Sequence, residues 1–213
     1  MQRRTEDREF SAYNAAQHGR PVRPLAVRAV EAAAQGPADA AEPRPTGPGA
    51  ADVNERPTAV ELGSGIGIEA EFLARQGYEV WTYDADPSVE PALRQLATRH
   101  PVHHCTTVLE SIADLPCADL LLSCATLSFV PRAAFGGLWR SIVAAVRPGG
   151  VLAIDLFGAN DDWAGTDGTF LSRSQVEDLL QGWASAVVEE KEYDGRSFGG
   201  PKHWHTFTVI ARR

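Results

Sequence analysis

At 213 residues, with 44% hydrophobic and 23% charged side chains, the chain suits one domain around one core. Its formal net charge of -8 sets the surface against phosphate backbones, so nucleic acid is not an expected partner. No run of about 18 apolar residues could span a membrane, and no apolar segment backs the basic N-terminus as in a secretory signal.

Cys105, Cys117 and Cys124 lie in apolar surroundings without CxxC spacing, which predicts buried, reduced thiols in a cytoplasmic protein. Along the chain, residues 1–35 read as two helices with Phe10, Tyr13, Leu25, Val27 and Val30 as apolar contacts. The break at His18 to Pro24 separates them, because proline fixes φ and removes a donor. Residues 36–57 are rich in Pro, Ala and Gly and hold almost no large apolar side chain, the composition of a linker. Ordered structure is expected from Thr58 onward, through residue 213.

From there short β runs alternate with helices. "TAVEL" (58–62) predicts a strand and Ile68 to Gln76 a helix stopped by Gly77; "EVWTYD" (79–84) predicts the next strand. Asp86 followed by Pro87 is a helix-start signal. "VHHCTT" and the continuous apolar "ADLLLSCA" (118–125) follow as strands, the latter buried on both faces. A helix over Arg132 to Val146 leads to the strand "VLAIDLF" (151–157). Ser172 and Gln175 have capping-box spacing, and "SAVVEEKEY" and "HWHTFTVIAR" close the chain as an antiparallel pair around a turn at Asp194 to Gly200. The expected fold is α/β, a Rossmann-like, doubly wound, mostly parallel seven-stranded sheet with an antiparallel C-terminal edge hairpin.

The most informative segment is "AVELGSGIGIEAEFLARQGYEVWTYDADP". A strand runs into Gly63, Gly65 and Gly67 and a helix starts at once. Glycines there permit a tight turn and let a ligand approach backbone that carries no Cβ. Asp84 lies 21 residues after Gly63, at the end of the next strand, where a carboxylate can accept both hydroxyls of a ribose. Dinucleotide sites need G-x-G-x-x-G, but the third position here is Ile68. Glu61, just ahead of the turn, disfavours a pyrophosphate and suits a cationic ammonium. S-adenosylmethionine is therefore the expected cofactor over NAD, with S-adenosylhomocysteine as its product.

"VELGSGIG", "VWTYD" and "VRPGGVLAIDLF" resemble the cofactor motifs of class I S-adenosylmethionine-dependent methyltransferases over residues 58 to 213. "SCATLSFVP" and "KHWHTFTVIARR" resemble the bacterial tellurite-resistance-like group. The resemblance implies that Gly63, Ser64, Gly65 and Gly67 contact the methionyl part and Asp84 the ribose. It further implies Ala85 or Asp86 at the adenine edge, Leu109 and Glu110 lining the adenine pocket, and Ser123 to Thr126, with Ser123 and Cys124 foremost, beside the methyl group.

For the acceptor, His203 and His205 share one strand face and are the candidate bases; a strand-edge pair with no chemical role is the other reading. No third ligand makes them a metal site, and no metal is expected. His18 is a further candidate. Tyr13, Phe129, Trp163 and Trp204 are candidate walls of an acceptor pocket, or simple packing. Asp155 at the end of the fifth strand could face either the pocket or a helix cap. Residues 1–35 are read as a lid over the cofactor.

DNA amino-methylating enzymes carry an Asp/Asn-Pro-Pro-aromatic tetrad where "SCATLSFVP" stands, and Pro116-Cys117 falls before the fourth strand rather than after it, which sets nucleic-acid methylation aside. The expected activity is methyl transfer to O or N, less readily C, of a small metabolite by a monomer or homodimer. The alternatives are oxyanion detoxification, with Arg20, Arg23 and Arg132 as the suppliers of positive charge, and a cofactor-binding cyclase or regulatory homologue.

Overall fold

The computed structural model describes residues 10–36 and 56–213. In chain order these form α1 (Phe10–Ala15), α2 (Pro24–Ala34), β1 (Thr58–Leu62), α3 (Ile68–Arg75), β2 (Glu79–Asp84), α4 (Glu90–Ala97), β3 (Val102–Thr106) and β4 (Ala118–Ser123). Then come α5 (Arg132–Ala145), β5 (Val146–Gly158), β6 (Phe170–Leu171), α6 (Arg173–Leu179), β7 (Ser185–Ser197) and β8 (Gly200–Arg212). Residues 1–9 of the expected lid and 37–55 of the expected linker lie outside the described residues.

One sheet runs β3-β2-β1-β4-β5-β8-β7. Strands β1 to β5 are mutually parallel, and β8 joins β5 and β7 antiparallel. The seven expected strands make this path; a two-residue β6 adds an eighth, parallel to the end of β5 at Phe157 and Gly158. Strand order reverses between β1 and β4, the switch point where open α/β sheets leave a crevice at the carboxyl ends of their strands. The central strands β1 and β4 are apolar on both faces because helices cover both.

Side-chain alternation divides the core in two. Val60, Leu62, Leu121, Leu152, Ile154, Phe207 and Val209 point to the face covered by α5 and α6. Ala59, Val80, Leu120, Leu122, Val151 and Ala153 point to the face covered by α2, α3 and α4. On that second face Glu61 follows Ala59 and Asp155 follows Ala153, since residues two apart share a face.

Local sequence explains the element ends. Pro24 occupies the first turn of α2, where its missing N–H costs nothing. Asp86 caps a short 3-10 turn (Pro87–Val89) ahead of α4 by accepting the Ser88 N–H, and the Ser172–Gln175 capping box forms at α6.

Four expectations are corrected. Val27 faces solvent at 38% exposure, because α2 turns Leu25, Ala26 and Ala29 inward instead. Cys105 and Cys117 are exposed and only Cys124 is buried, since the first lies on an outward position of β3 and the second ends a loop. Strand β5 starts at Val146 rather than at Val151, absorbing the "RPGG" segment where the expected helix ends, and the β7–β8 hairpin closes tightly at Ser197 and Gly200.

Candidate active site

The glycine turn is built as a concave backbone surface. Gly63, Gly65 and Gly67 all have positive φ, at 76°, 51° and 84°, which residues with a Cβ adopt only with strain. A Cβ on Gly63 would lie 2.1 Å from Thr126 Oγ1, and one on Gly67 would lie 2.6 Å from Leu93 Cδ2. Thr126 reaches Gly63 because the chain turns sharply after β4: Ala125 is the one positive-φ non-glycine residue among those described, at 53°. Such strain at the carboxyl end of a central strand marks a position the fold holds for use.

Beside this turn stand three buried polar atoms without a hydrogen-bond partner among the described residues: Glu61 Oε2, Ser64 Oγ and Arg20 Nε. Glu61 and Ser64 are each 2% exposed. Burial holds the Glu61 carboxyl well above the usual carboxylate range, and the charge of Glu69 adds to the effect. The charge of Arg20 acts against this without reversing it, its terminal nitrogens being bound bidentately by Glu69, at 2.6 and 2.5 Å. Against its own burial, the bonds from Arg20 and from the Arg23 N–H hold Glu69 below its ordinary value. Unsatisfied buried groups are costly in a native fold and call for a ligand or a functional reason. Here they comprise one acidic acceptor and two donors, the complement of an amino-acid ammonium and carboxylate.

Asp84 ends β2 at the rim of the same turn. Its Oδ2 accepts the Gly65 N–H at 2.7 Å and its Oδ1 the Asp86 N–H at 2.9 Å. Burial nevertheless keeps its pKa raised, against those two bonds. Each oxygen retains a further lone pair toward the rim. Helix α1 covers this region: Asn14 donates to Asp86 at 2.8 Å, and its Oδ1 lies 3.2 Å from where a Gly65 Cβ would be. The expected cofactor residues Glu61, Gly63, Ser64, Gly65, Gly67, Asp84 and Asp86 are thus gathered at one strand end.

Others of the expected set do different things. Ser123 is fully buried and donates to the Leu62 carbonyl. Leu109 packs into the core on the α5 side, while Glu110 and Ala85 are exposed. Cys124 is buried on the α2 side, its thiol pushed well up by burial and by the charge of Asp155, so it is no thiolate nucleophile.

Both candidate bases have their ring nitrogens engaged. His205, 4% exposed, accepts the Asn160 N–H on Nδ1 at 3.1 Å and contacts Glu190 through Nε2 at 2.9 Å. A backbone N–H can only donate, so Nδ1 carries no proton and Nε2–H must face the carboxylate. His203 bridges Asp194 and Glu192 at 2.7 and 3.1 Å, which raises its pKa. His18 is exposed beyond α1.

Phe129, Trp163 and Trp204 do come together, with Phe157, at ring separations of 5.5 to 5.9 Å. Phe157, Trp163 and Trp204 wrap Lys202, whose Nζ stands 3.7 Å from the Trp204 ring centre and 2.5 Å from Asp161, both charged groups being buried. Tyr13 stands apart, edge-on to Phe198, its hydroxyl accepting from Arg23 at 2.7 Å.

Sequence reasoning passed over Arg20 as a partner of the glycine turn, although "GRPVRP" placed two arginines between the N-terminal helices. It left Asp155 open, and the sheet resolves it. Ser123 pairs with Ile154, so Cys124 and Asp155 follow level with each other, and Asp155 points to the α2 side with Thr208 donating to it at 2.8 Å. Arg132 opens α5, a helix of the opposite face.

Comparisons with known proteins agree with this fold. The family model for methyltransferase domains matches residues 60–154. Among solved structures, TehB from Haemophilus influenzae superposes with a TM-score of 0.69 at 14% identity, over 96% of this chain and 67% of that one. The N-methyltransferase NodS from Bradyrhizobium japonicum WM9, solved with S-adenosylhomocysteine, gives 0.61 at 12% identity, over 97% and 99%. An O-methyltransferase family protein from Burkholderia thailandensis gives 0.57 at 17%, over 96% and 59%. No curated protein matches the sequence.

Proposed function

We propose that this chain, whose residues 60–154 match the family model for methyltransferase domains, is a class I S-adenosylmethionine-dependent methyltransferase, and that the methyl group goes to an oxygen or nitrogen of a small metabolite. The observation that carries this reading is the trio of unpartnered buried atoms beside the glycine turn. Glu61 would hold the ammonium of the methionyl part, Arg20 Nε and Ser64 Oγ its carboxylate, and Asp84 the ribose diol.

When bound, S-adenosylmethionine supplies a methyl group on a cationic sulfur, already electrophilic enough to need no activation by the protein. The residues of the chain therefore position and enclose. The glycines give close approach, Thr126 braces Gly63, and α1 with the segment to Arg23 shields the turn from water. Only an acceptor protonated at working pH needs a base, and neither His203 nor His205 has a ring nitrogen left over for that work.

The reading as an oxyanion-detoxifying enzyme loses most of the arginines expected for it. Arg20 is committed to Glu69 and Arg132 belongs to α5 on the other face, so two of its three arginines are elsewhere. A non-transferring homologue would keep the cofactor site alone.

Incubating the full chain with methyl-labelled S-adenosylmethionine and a panel of hydroxylated and amino metabolites separates these readings. Label in an organic O- or N-methyl product supports the proposal. Label reaching only a volatile tellurium or selenium product favours the oxyanion reading, and cofactor binding with no labelled product at all overturns transfer.

A further inference from the structure

A second polar concavity lies on the α2 side of the sheet, next to Cys124. It measures about 230 Å³ and is lined by Arg23 and Arg28 from the start of α2, Asp155 from β5, Thr208 from β8 and Lys191 from β7. Its floor is one row of the sheet: Asp155 pairs with Thr208, and Thr208 with Glu189.

The charges in this cleft run against the chain as a whole, which is acidic by eight. Arg28 is matched, gripping Glu189 through two bonds of 3.1 and 2.6 Å. Arg23 donates from its guanidinium to a hydroxyl, that of Tyr13, at 2.7 Å. Lys191 makes no ion pair among the described residues and still acts electrostatically on Asp155. Asp155 already accepts the Thr208 hydroxyl, and burial raises its pKa despite the cations around it. Two cations without a carboxylate of their own thus face one half-satisfied acid in one open cleft.

We propose that this cleft is the acceptor subsite, and that it takes a small acceptor carrying a compact anionic group such as a carboxylate. Arg23 and Lys191 hold the anion, while Asp155 and Thr208 face the protic end of the molecule. The cleft is smaller than most drug-sized pockets, which excludes bulky acceptors. The inference rests on the methyltransferase reading for the word acceptor, but the anion preference stands on the charges alone.

The test uses the full chain saturated with S-adenosylhomocysteine, titrated with benzoate and with its uncharged counterpart benzamide while chemical shifts are followed. Benzoate is expected to bind at least tenfold tighter. Lys191→Met is expected to weaken benzoate at least fivefold and leave benzamide unchanged. Arg140→Met, on the exposed side of α5, should change neither. Lys191 is exposed, so its variants should stay folded; Lys191→Gln repeats the measurement with a polar side chain. Equal binding of the two probes, no binding of benzoate, or no effect of either Lys191 variant overturns the proposal. Titration of S-adenosylhomocysteine itself reports the other reading separately: its failure to bind would remove the cofactor assignment, whatever benzoate does.

Discussion

Glu61→Gln separates what the glycine turn does for the ligand from what it costs the fold. Glu61 is 2% exposed and its Oε2 has no partner among the described residues. Glutamine keeps the shape and one acceptor but cannot carry charge. A hydrogen bond to a charged group contributes about 1.5–3 kcal/mol, so the variant should bind S-adenosylmethionine about 10- to 150-fold more weakly. The same change should stabilise the unliganded protein. Because burial raises the folded-state pKa, the folded chain keeps a proton on Glu61 that the unfolded chain has already lost. Stability therefore falls as pH rises above the ordinary carboxylate value, until the folded pKa is passed.

Glu61→Gln abolishes that fall, so its Tm should exceed the parent's near pH 8 and match it near pH 4. Calorimetric titration in buffers of different ionisation enthalpy gives a third readout: the parent should release a proton on binding the cofactor below its folded pKa, and the variant should not. An affinity within twofold of the parent, together with parallel curves of Tm against pH, would refute the reasoning.

Asp84→Ala should weaken cofactor binding by on the order of 1–3 kcal/mol, since it also strips acceptors from the Gly65 and Asp86 N–H groups; unchanged calorimetric affinity would remove the ribose assignment. Gly63→Ala adds a Cβ 2.1 Å from Thr126 at a φ of 76°, a conformation costing about 1–2 kcal/mol before any clash, and should lower the urea midpoint and abolish binding; retention of both would contradict the packing. Asp161→Asn removes the carboxylate paired with the buried Lys202 ammonium and should cost about 3–5 kcal/mol in chemical denaturation, most of it recovered by adding Lys202→Met; an unaffected single variant would deny that the pair is dry. His205→Ala should cost about 1–3 kcal/mol through the orphaned Asn160 N–H with turnover per folded molecule unchanged; lost turnover at full stability would restore a base.

The alternation of short apolar runs with helical segments made the parallel sheet legible, because a strand buried on both faces needs a continuous run such as "ADLLLS". The glycine turn was legible for a similar local reason: positive φ and close approach leave few residues to choose from. What the sequence could not disclose depended on pairing across the sheet. Asp155 acquires its meaning only when β5 lies beside β4 and β8, which sets it level with Cys124 and opposite Thr208. His203 and His205 look like an available pair from their spacing, yet β7 brings Glu190, Glu192 and Asp194 against them. Lys202 carries no local signal in the sequence, and only the convergence of Trp163, Trp204 and Asp161 buries it. Val27 misled because α2 needs just a narrow stripe of Leu25, Ala26 and Ala29 against the sheet.

The most direct measurement is a crystal structure of the full chain grown with S-adenosylhomocysteine. The expected result has the amine of the homocysteine part within hydrogen-bonding distance of Glu61, its carboxylate at Arg20 Nε and Ser64 Oγ, and the ribose diol on Asp84. A nucleoside bound away from the glycine turn, or a turn that holds a nicotinamide dinucleotide in preference when both are supplied, would contradict it.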